Sequence, residues 1–335
     1  MTLNHTNLVK VLPQTYLALD LAYYVIKHWA IYGIFTFGFV GNTISFLITN
    51  KKEYRHVSTG VYMTSLAVLD NACLLVMMMY NMLSVQRLGD GIQDRQNFHV
   101  WFVFFNFSCQ YASRLLLAAM TADRAYKVLF PLRAKSTGTT SKTKKVIIVV
   151  TLIPAIANIN FFFTIKVLFI RTDDETPAYS FPEVPWIELM VTGWTLFIAV
   201  ILPFFTILTS NILIIYGVQR AASARTDMVS VNDKAKENHL TRMLILVSVA
   251  YIILCLPDAV NELVFSIPEV SSQYVMSSDY WRTRAVLIGW TLAQVSAMNH
   301  AVNFFLYVLG GGKTYRQDVK KLFTGCLNQL PITKQ

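Results

Sequence analysis

Seven stretches of the 335-residue chain are almost continuous in apolar side chains, with the charges gathered between them. They run over Trp29–Ile48, Gly60–Val85, Phe98–Ala122, Val146–Ile165, Leu189–Val218, Met243–Ser266 and Ala285–Gly312. Each holds about 20 residues or more, which at 1.5 Å per residue crosses the ~30 Å hydrocarbon layer as a helix. The runs are continuous rather than alternating, which excludes a β-barrel. The pattern predicts an all-α membrane protein, a seven-transmembrane helix bundle with short connections. The longest predicted inner loop covers about 219–242, and no internal repeat or low-complexity tract divides the chain.

Composition agrees. The chain is 54% hydrophobic and 14% charged, against about a quarter charged in soluble domains. An odd number of spans puts the termini on opposite sides, and the cations set the orientation. The loops after spans 1, 3 and 5 and the C-terminal tail hold 20 Lys and Arg; the N-terminus, the other loops and the span ends facing them hold 8; the last is Arg114, inside span 3. The formal charge of +10 therefore reflects positive-inside bias and not nucleic-acid binding. The expectation is a multi-pass plasma-membrane protein with an extracellular N-terminus over 1–23, a seven-transmembrane bundle over 24–312, and an amphipathic helix with a short cytoplasmic tail over 313–335. Asn4-His5-Thr6 is a glycosylation acceptor on the outer side; the second match, at Asn106, lies within span 3 and is fortuitous. Residues 1–20 lack the charged start and apolar core of a cleaved signal. The cysteines Cys73, Cys109 and Cys255 lie in spans and Cys326 in the tail, so no external disulfide framework is expected.

Polar side chains inside spans are costly and mark function. Span 2 carries Asp70. On span 3, Asn106, Gln110 and Ser113 share a face, and Arg124 follows eleven residues, about three turns, beyond Ser113. On span 7, Asn299, Asn303 and Tyr307 repeat every four residues; on span 6, Cys255, Asp258 and Glu262 share a face near the outer end. His300, deep in span 7, reads as a hydrogen-bonded core residue rather than a metal ligand.

These residues resemble the motifs of a rhodopsin-like G protein-coupled receptor over roughly residues 24–323. Span 1 carries Gly41-Asn42, and span 2 reads "LAVLD", with Leu66, Ala67 and Asp70 in the family positions. Span 3 ends in Asp123-Arg124 followed by Pro131-Leu132; spans 5 and 6 carry Pro203 and Pro257; span 7 ends in "NFFLY", with Phe304 where the family has proline. "NFFLY" and "NINFFF" (Asn158–Phe163) resemble invertebrate FMRFamide-type neuropeptide receptors. The departures are equally specific. The family's disulfide joins the outer start of span 3 to the second external loop, but here the span 3 position is His99 and loop 170–186 has no cysteine. That loop is therefore held another way or is looser. Cys255 replaces the span 6 tryptophan, Ala125 the tyrosine after Asp-Arg, and span 4 lacks its tryptophan.

The resemblance implies a switch in which Arg124 pairs with Asp123 and with Glu237 at rest, with Asn303 and Tyr307 taking part. It also implies a structural sodium ion held by Asp70, Ser113, Asn299 and Asn303, the one cofactor expected. Two alternatives stay open there: a neutral network around protonated Asp70, and a pairing of Asp70 with Arg114. Asp173, Asp174, Glu175, Glu183 and Glu188 form an acidic rim with Asp258 and Glu262; the loop residues read equally as a solvated surface, and the last two are suited to an arginine of a cationic peptide. Asn106, Phe107, Gln110, Trp290 and Gln294 would line the pocket beneath. In the tail, Tyr315, Val319, Leu322 and Phe323 alternate with cations as an amphipathic helix on the inner leaflet, and Cys326 beyond it is a palmitoylation candidate against an inert thiol. The expected partners are an extracellular peptide, a heterotrimeric G protein and membrane lipid. A chemosensory or other non-peptide receptor is the alternative within the fold. A transporter or channel would favour repeated halves or pore-lining charges, and an enzyme a nucleophile–base or metal motif; neither pattern is present.

Overall fold

A computed structural model describes residues 21, 25, 29–85, 92–137, 140–164, 166–168, 178–180, 193–194, 196–224, 231–265, 279–311 and 313–329. The predicted spans are all helical: α1 (Ile31–Thr49), α3 (Ser58–Val85), α4 (Ile92–Leu129), α6 (Thr140–Ala157), α8 (Leu202–Ala224), α9 (Val231–Phe265) and, for span 7, α10 (Asp279–Ala297) with α11 (Asn299–Gly310). Short helices α2 (Lys52–Arg55), α5 (Pro131–Thr137) and α7 (Phe161–Thr164) lie in the connections, and α12 (Lys313–Gln329) follows span 7. Among the described residues, five helices, those of spans 1, 2, 4, 5 and 6, are long and apolar enough to cross a membrane by length and composition alone. Spans 3 and 7 fall short because polar side chains dilute the first and a break at Met298 divides the second.

Helix α4 is the hub. It packs against α3, α6, α8 and α9, while α1 closes the ring between α3 and α11. The interior is built of Leu66, Leu116, Met120, Ile207, Leu244, Val247 and Tyr307, all buried. Outward-facing apolar residues such as Phe37, Ile156, Ile253 and Leu309 are each more than 60% exposed, which suits hydrocarbon rather than water. Gly41 explains one motif: a Cβ there would sit 3.0 Å from Cβ of Phe304, so its absence lets α1 and α11 approach closely.

Three features depart from the predicted elements. The segment read as an inner loop over about 219–242 is largely helix, since α8 runs to Ala224 and α9 begins at Val231. The connection between spans 4 and 5, predicted as the second external loop, contains an antiparallel strand pair, β1 (Lys166–Leu168) with β2 (Ala178–Ser180), pairing Val167 with Tyr179. Backbone pairing thus links these two segments without a disulfide, and β1 lies against α4. A π-turn, Phe197–Ile201, precedes α8.

At the cation-rich end, α12 docks through Tyr315, whose hydroxyl lies 3.3 Å from Ser45 Oγ and whose ring meets Tyr54 and Tyr307 edge-on. Asp318 accepts from Lys51 Nζ (3.2 Å) and from the Tyr54 hydroxyl (3.0 Å), and Arg316 donates to the carbonyls of Val308 and Leu309 (2.8 Å each), satisfying the end of α11. Burial, with the Asp318 carboxylate second, raises the Tyr54 phenol well above its ordinary value; burial likewise pushes Tyr315 up to about 12, against the lowering effect of its bond to Ser45. A phenol whose folded value is raised stabilises fully below its unfolded value of 10 and loses that contribution as pH rises towards about 12. The unfolding temperature of the purified protein is therefore expected to fall between pH 10 and about 12, and more shallowly in Tyr315→Phe.

Candidate functional site

Asp70, on α3, is fully buried and is the acceptor at the centre of a polar cluster. Ser113 Oγ on α4 donates to its Oδ1 at 2.6 Å, His300 Nδ1 on α11 lies 2.7 Å from the same oxygen, and Asn303 Nδ2 donates to Oδ2 at 2.6 Å. His300 and Asn303, three residues apart, share a helix face. The break before them sets that face. The Met298 N–H reaches both the Gln294 and Val295 carbonyls at 3.2 Å, a tightened turn that ends α10 and starts α11. Asn42 Nδ2 donates to the His300 carbonyl at 2.8 Å, tying α1 to the same point. Asn299 is buried beside them. Asp70, Ser113 and Asn303 thus meet as predicted, and His300, which sequence reading placed only in the core, is bonded to the carboxylate itself.

Arg114, predicted as a candidate partner of Asp70, turns towards spans 5 and 7. Its Nη1 lies 3.4 Å from the Ala199 carbonyl and its Nη2 3.3 Å from Ser296 Oγ, with the guanidinium 5.9 Å from the centre of the Tyr111 ring. The reason is local. Pro203 has no N–H to give the carbonyl four residues before it, which is Ala199. Arg114 thus joins span 3 to spans 5 and 7, with Cys255 and Asp258 of α9 buried in the same interior. Arg114, Tyr251, Cys255 and Phe204 line a crevice there of about one water's size.

Of the predicted ligand residues, Asp258 is buried, and Asn106, Gln110, Trp290 and Gln294 are half-buried. Phe107 packs instead on Tyr111 (5.5 Å) and on Phe161 beside span 4 (5.6 Å). The side chain of Glu262 and the rim residues Asp173, Asp174, Glu175, Glu183 and Glu188 lie outside the described residues, as do Asn4 and the side chains of Glu237 and Cys326.

At the other end of α4, Asp123 accepts from Lys127, one turn on, and from Ser58 Oγ at 3.2 Å; Lys127 also donates to Ser58. Asp123, expected to pair with Arg124, thus accepts from Lys127, because neighbours on a helix point about 100° apart whereas residues four apart face each other. Arg124 is buried at this end, and Tyr307 is fully buried nearby on α11.

The sequence profile described as 7 transmembrane receptor (rhodopsin family) matches residues 41–307, which contain every span motif named above. The chain belongs to the rhodopsin family of seven-transmembrane receptors. Its similarity extends to growth hormone secretagogue receptor type 1 of Sus scrofa, 26% identical over 307 residues covering 86% of this chain and 78% of the relative. The same receptor of Homo sapiens is 26% identical over 309 residues. Neurotensin receptor type 1 of Homo sapiens is 30% identical over 141 residues, 39% of this chain and 32% of the relative. The receptor is accordingly a multi-pass membrane protein and not an enzyme. Sequence reading missed Ser296, Lys127 and Ser58 as site residues. Lys127 carried the one usable signal, an opposite charge four residues after Asp123.

The site was also expected to hold sodium. A hard cation needs oxygens turned towards it, whereas around Asp70 the Ser113 hydroxyl and the Asn303 amide present hydrogens and a ring nitrogen takes the remaining approach to Oδ1. The Asn303 Oδ1, buried without a partner among the described residues, and the second acceptor direction of Asp70 Oδ2 are the features in favour. The arrangement does not fit the ion.

Proposed function

We propose that this receptor answers an extracellular peptide, an amidated cationic neuropeptide of the FMRFamide type, and activates a heterotrimeric G protein at its cation-rich face. The observation that carries the reading is the family match along residues 41–307, joined to relatives that are by name receptors for a secretagogue and for neurotensin. "NFFLY" and "NINFFF" support the subfamily, and the cation distribution supports an extracellular N-terminus with Asn4 as glycosylation site. The ligand's cation would pair with Asp258 and Glu262 near the outer end of span 6, above Asn106, Gln110, Trp290 and Gln294. Binding favours a second arrangement of the bundle, in which span 6 swings outward and Arg124, released from Glu237, contacts the G protein. Lys127 and Ser58 hold Asp123 in the resting form, and α12, carried on the inner leaflet, brings Cys326 to the membrane for palmitoylation.

The test is a calcium response in cells expressing the receptor with a promiscuous G protein, challenged with amidated neuropeptides. An Arg-Phe-amide peptide is expected to evoke a response that Arg124→Ala abolishes with surface expression intact. Silence across the peptides, with the receptor at the surface, moves the ligand to a non-peptide or chemosensory signal.

A further inference from the structure

We propose that His300 is the resident partner of Asp70, so that the interior carboxylate of this receptor is closed to sodium. The geometry is specific. Ser113 and His300 together fill both acceptor directions of Oδ1, at 2.6 and 2.7 Å, and Asn303 fills one direction of Oδ2 at 2.6 Å. Hard cations sit about 2.4 Å from their oxygens, a distance at which an ion on Oδ1 collides with the imidazole nitrogen already there. To admit it, His300 has to swing out, the Ser113 proton has to rotate away and the Asn303 amide has to reverse. Each of these breaks a short, fully buried hydrogen bond.

His300 is poorly placed to swing. It is 1% exposed, and its backbone is held by Asn42 at 2.8 Å and by the tight turn at Met298. A second observation is independent of the ring. Arg114 follows Ser113 directly, is 4% exposed and remains charged under all ordinary conditions. A fixed cation inside the same bundle repels a mobile one, and the low dielectric there strengthens the repulsion. The pairing needs only an N–H at Nδ1, which the neutral and the charged ring both supply. Its structural consequence is a direct tie from span 2 to span 7 at the point where span 7 breaks.

The deciding experiment is thermal unfolding of the purified full-length receptor, followed by tryptophan fluorescence, in sodium chloride against N-methylglucamine chloride at equal ionic strength near ~0.15 M. The wild-type curves are expected to superimpose. His300→Ser removes the ring and leaves an oxygen, and is expected to gain a saturable, sodium-specific rise of about 3 °C. That rise should vanish in His300→Ser combined with Asp70→Asn. A sodium-specific rise in the wild type that Asp70→Asn removes overturns the proposal. A folded His300→Ser with no sodium response overturns the role given to the ring, and His300→Asn, which also offers an oxygen, takes its place if His300→Ser does not fold.

Discussion

Replacing Asp70 with leucine is expected to cost the receptor about 3–5 kcal/mol, enough to remove most of it from the cell surface. The carboxylate is the shared acceptor for Ser113 of span 3 and for His300 and Asn303 of span 7. Removing it strands three buried polar groups at once, each at about 1–3 kcal/mol less whatever relaxation recovers. Asp70→Asn keeps one acceptor oxygen but aims its amide hydrogens at groups that also donate, so a loss of roughly half that size is expected. Urea unfolding of the purified protein with surface labelling in cells checks both. A change under about 1 kcal/mol for Asp70→Leu would show that the cluster relaxes freely and that its short bonds contribute little.

The second large effect is expected from Gly310→Ala, and it should appear in signalling more than in stability. Gly310 ends α11 where α9 crosses it, and a Cβ there would lie 2.6 Å from Met243 Cα, 3.0 Å from its Cβ and 3.1 Å from its nitrogen. These are largely backbone atoms, so no side chain can move aside. The two helices must separate until the contact reaches an ordinary 3.4–4 Å. Overpacking of this kind costs about 1–3 kcal/mol. The separation displaces the cation-rich half of span 6 from span 7, in the sense of the outward movement proposed for activation, so the extra methyl biases the equilibrium before any ligand binds. Basal nucleotide exchange is expected to rise several-fold over wild type at equal surface expression. Unchanged basal exchange would mean that this close approach does not restrain span 6.

The two predictions rest on parts of the molecule that were unequally legible. Asp70 was visible as an acid in an apolar run, and Asn303 and Tyr307 as a polar stripe, because an intramembrane polar residue is conspicuous in composition. Gly310 was not, since a glycine near a span end says nothing of what crosses it. Arg124 sat at the predicted end of span 3, but the acid beside it in sequence is taken up by Lys127 and Ser58, a choice made by side-chain direction and by a residue 65 positions away. The inner loop was misjudged for a related reason: helix continues past the apolar run because its backbone bonds do not depend on lipid, so hydropathy marks the membrane layer and not the helix ends.

By itself the sequence determined the number of spans, their approximate limits and the cation-rich side. Backbone groups in hydrocarbon must be satisfied within the segment, which leaves continuous apolar helices as the form for such runs. The motif order placed the chain among rhodopsin-like receptors. Only the tertiary structure decided which polar groups meet. His300 faces Asp70 across 230 residues because span 7 breaks at Met298, and Arg114 reaches the Ala199 carbonyl of span 5, which Pro203 leaves without an α-helical N–H. Such pairings depend on the rotation of each helix about its axis, and that rotation is set by packing against several neighbours at once.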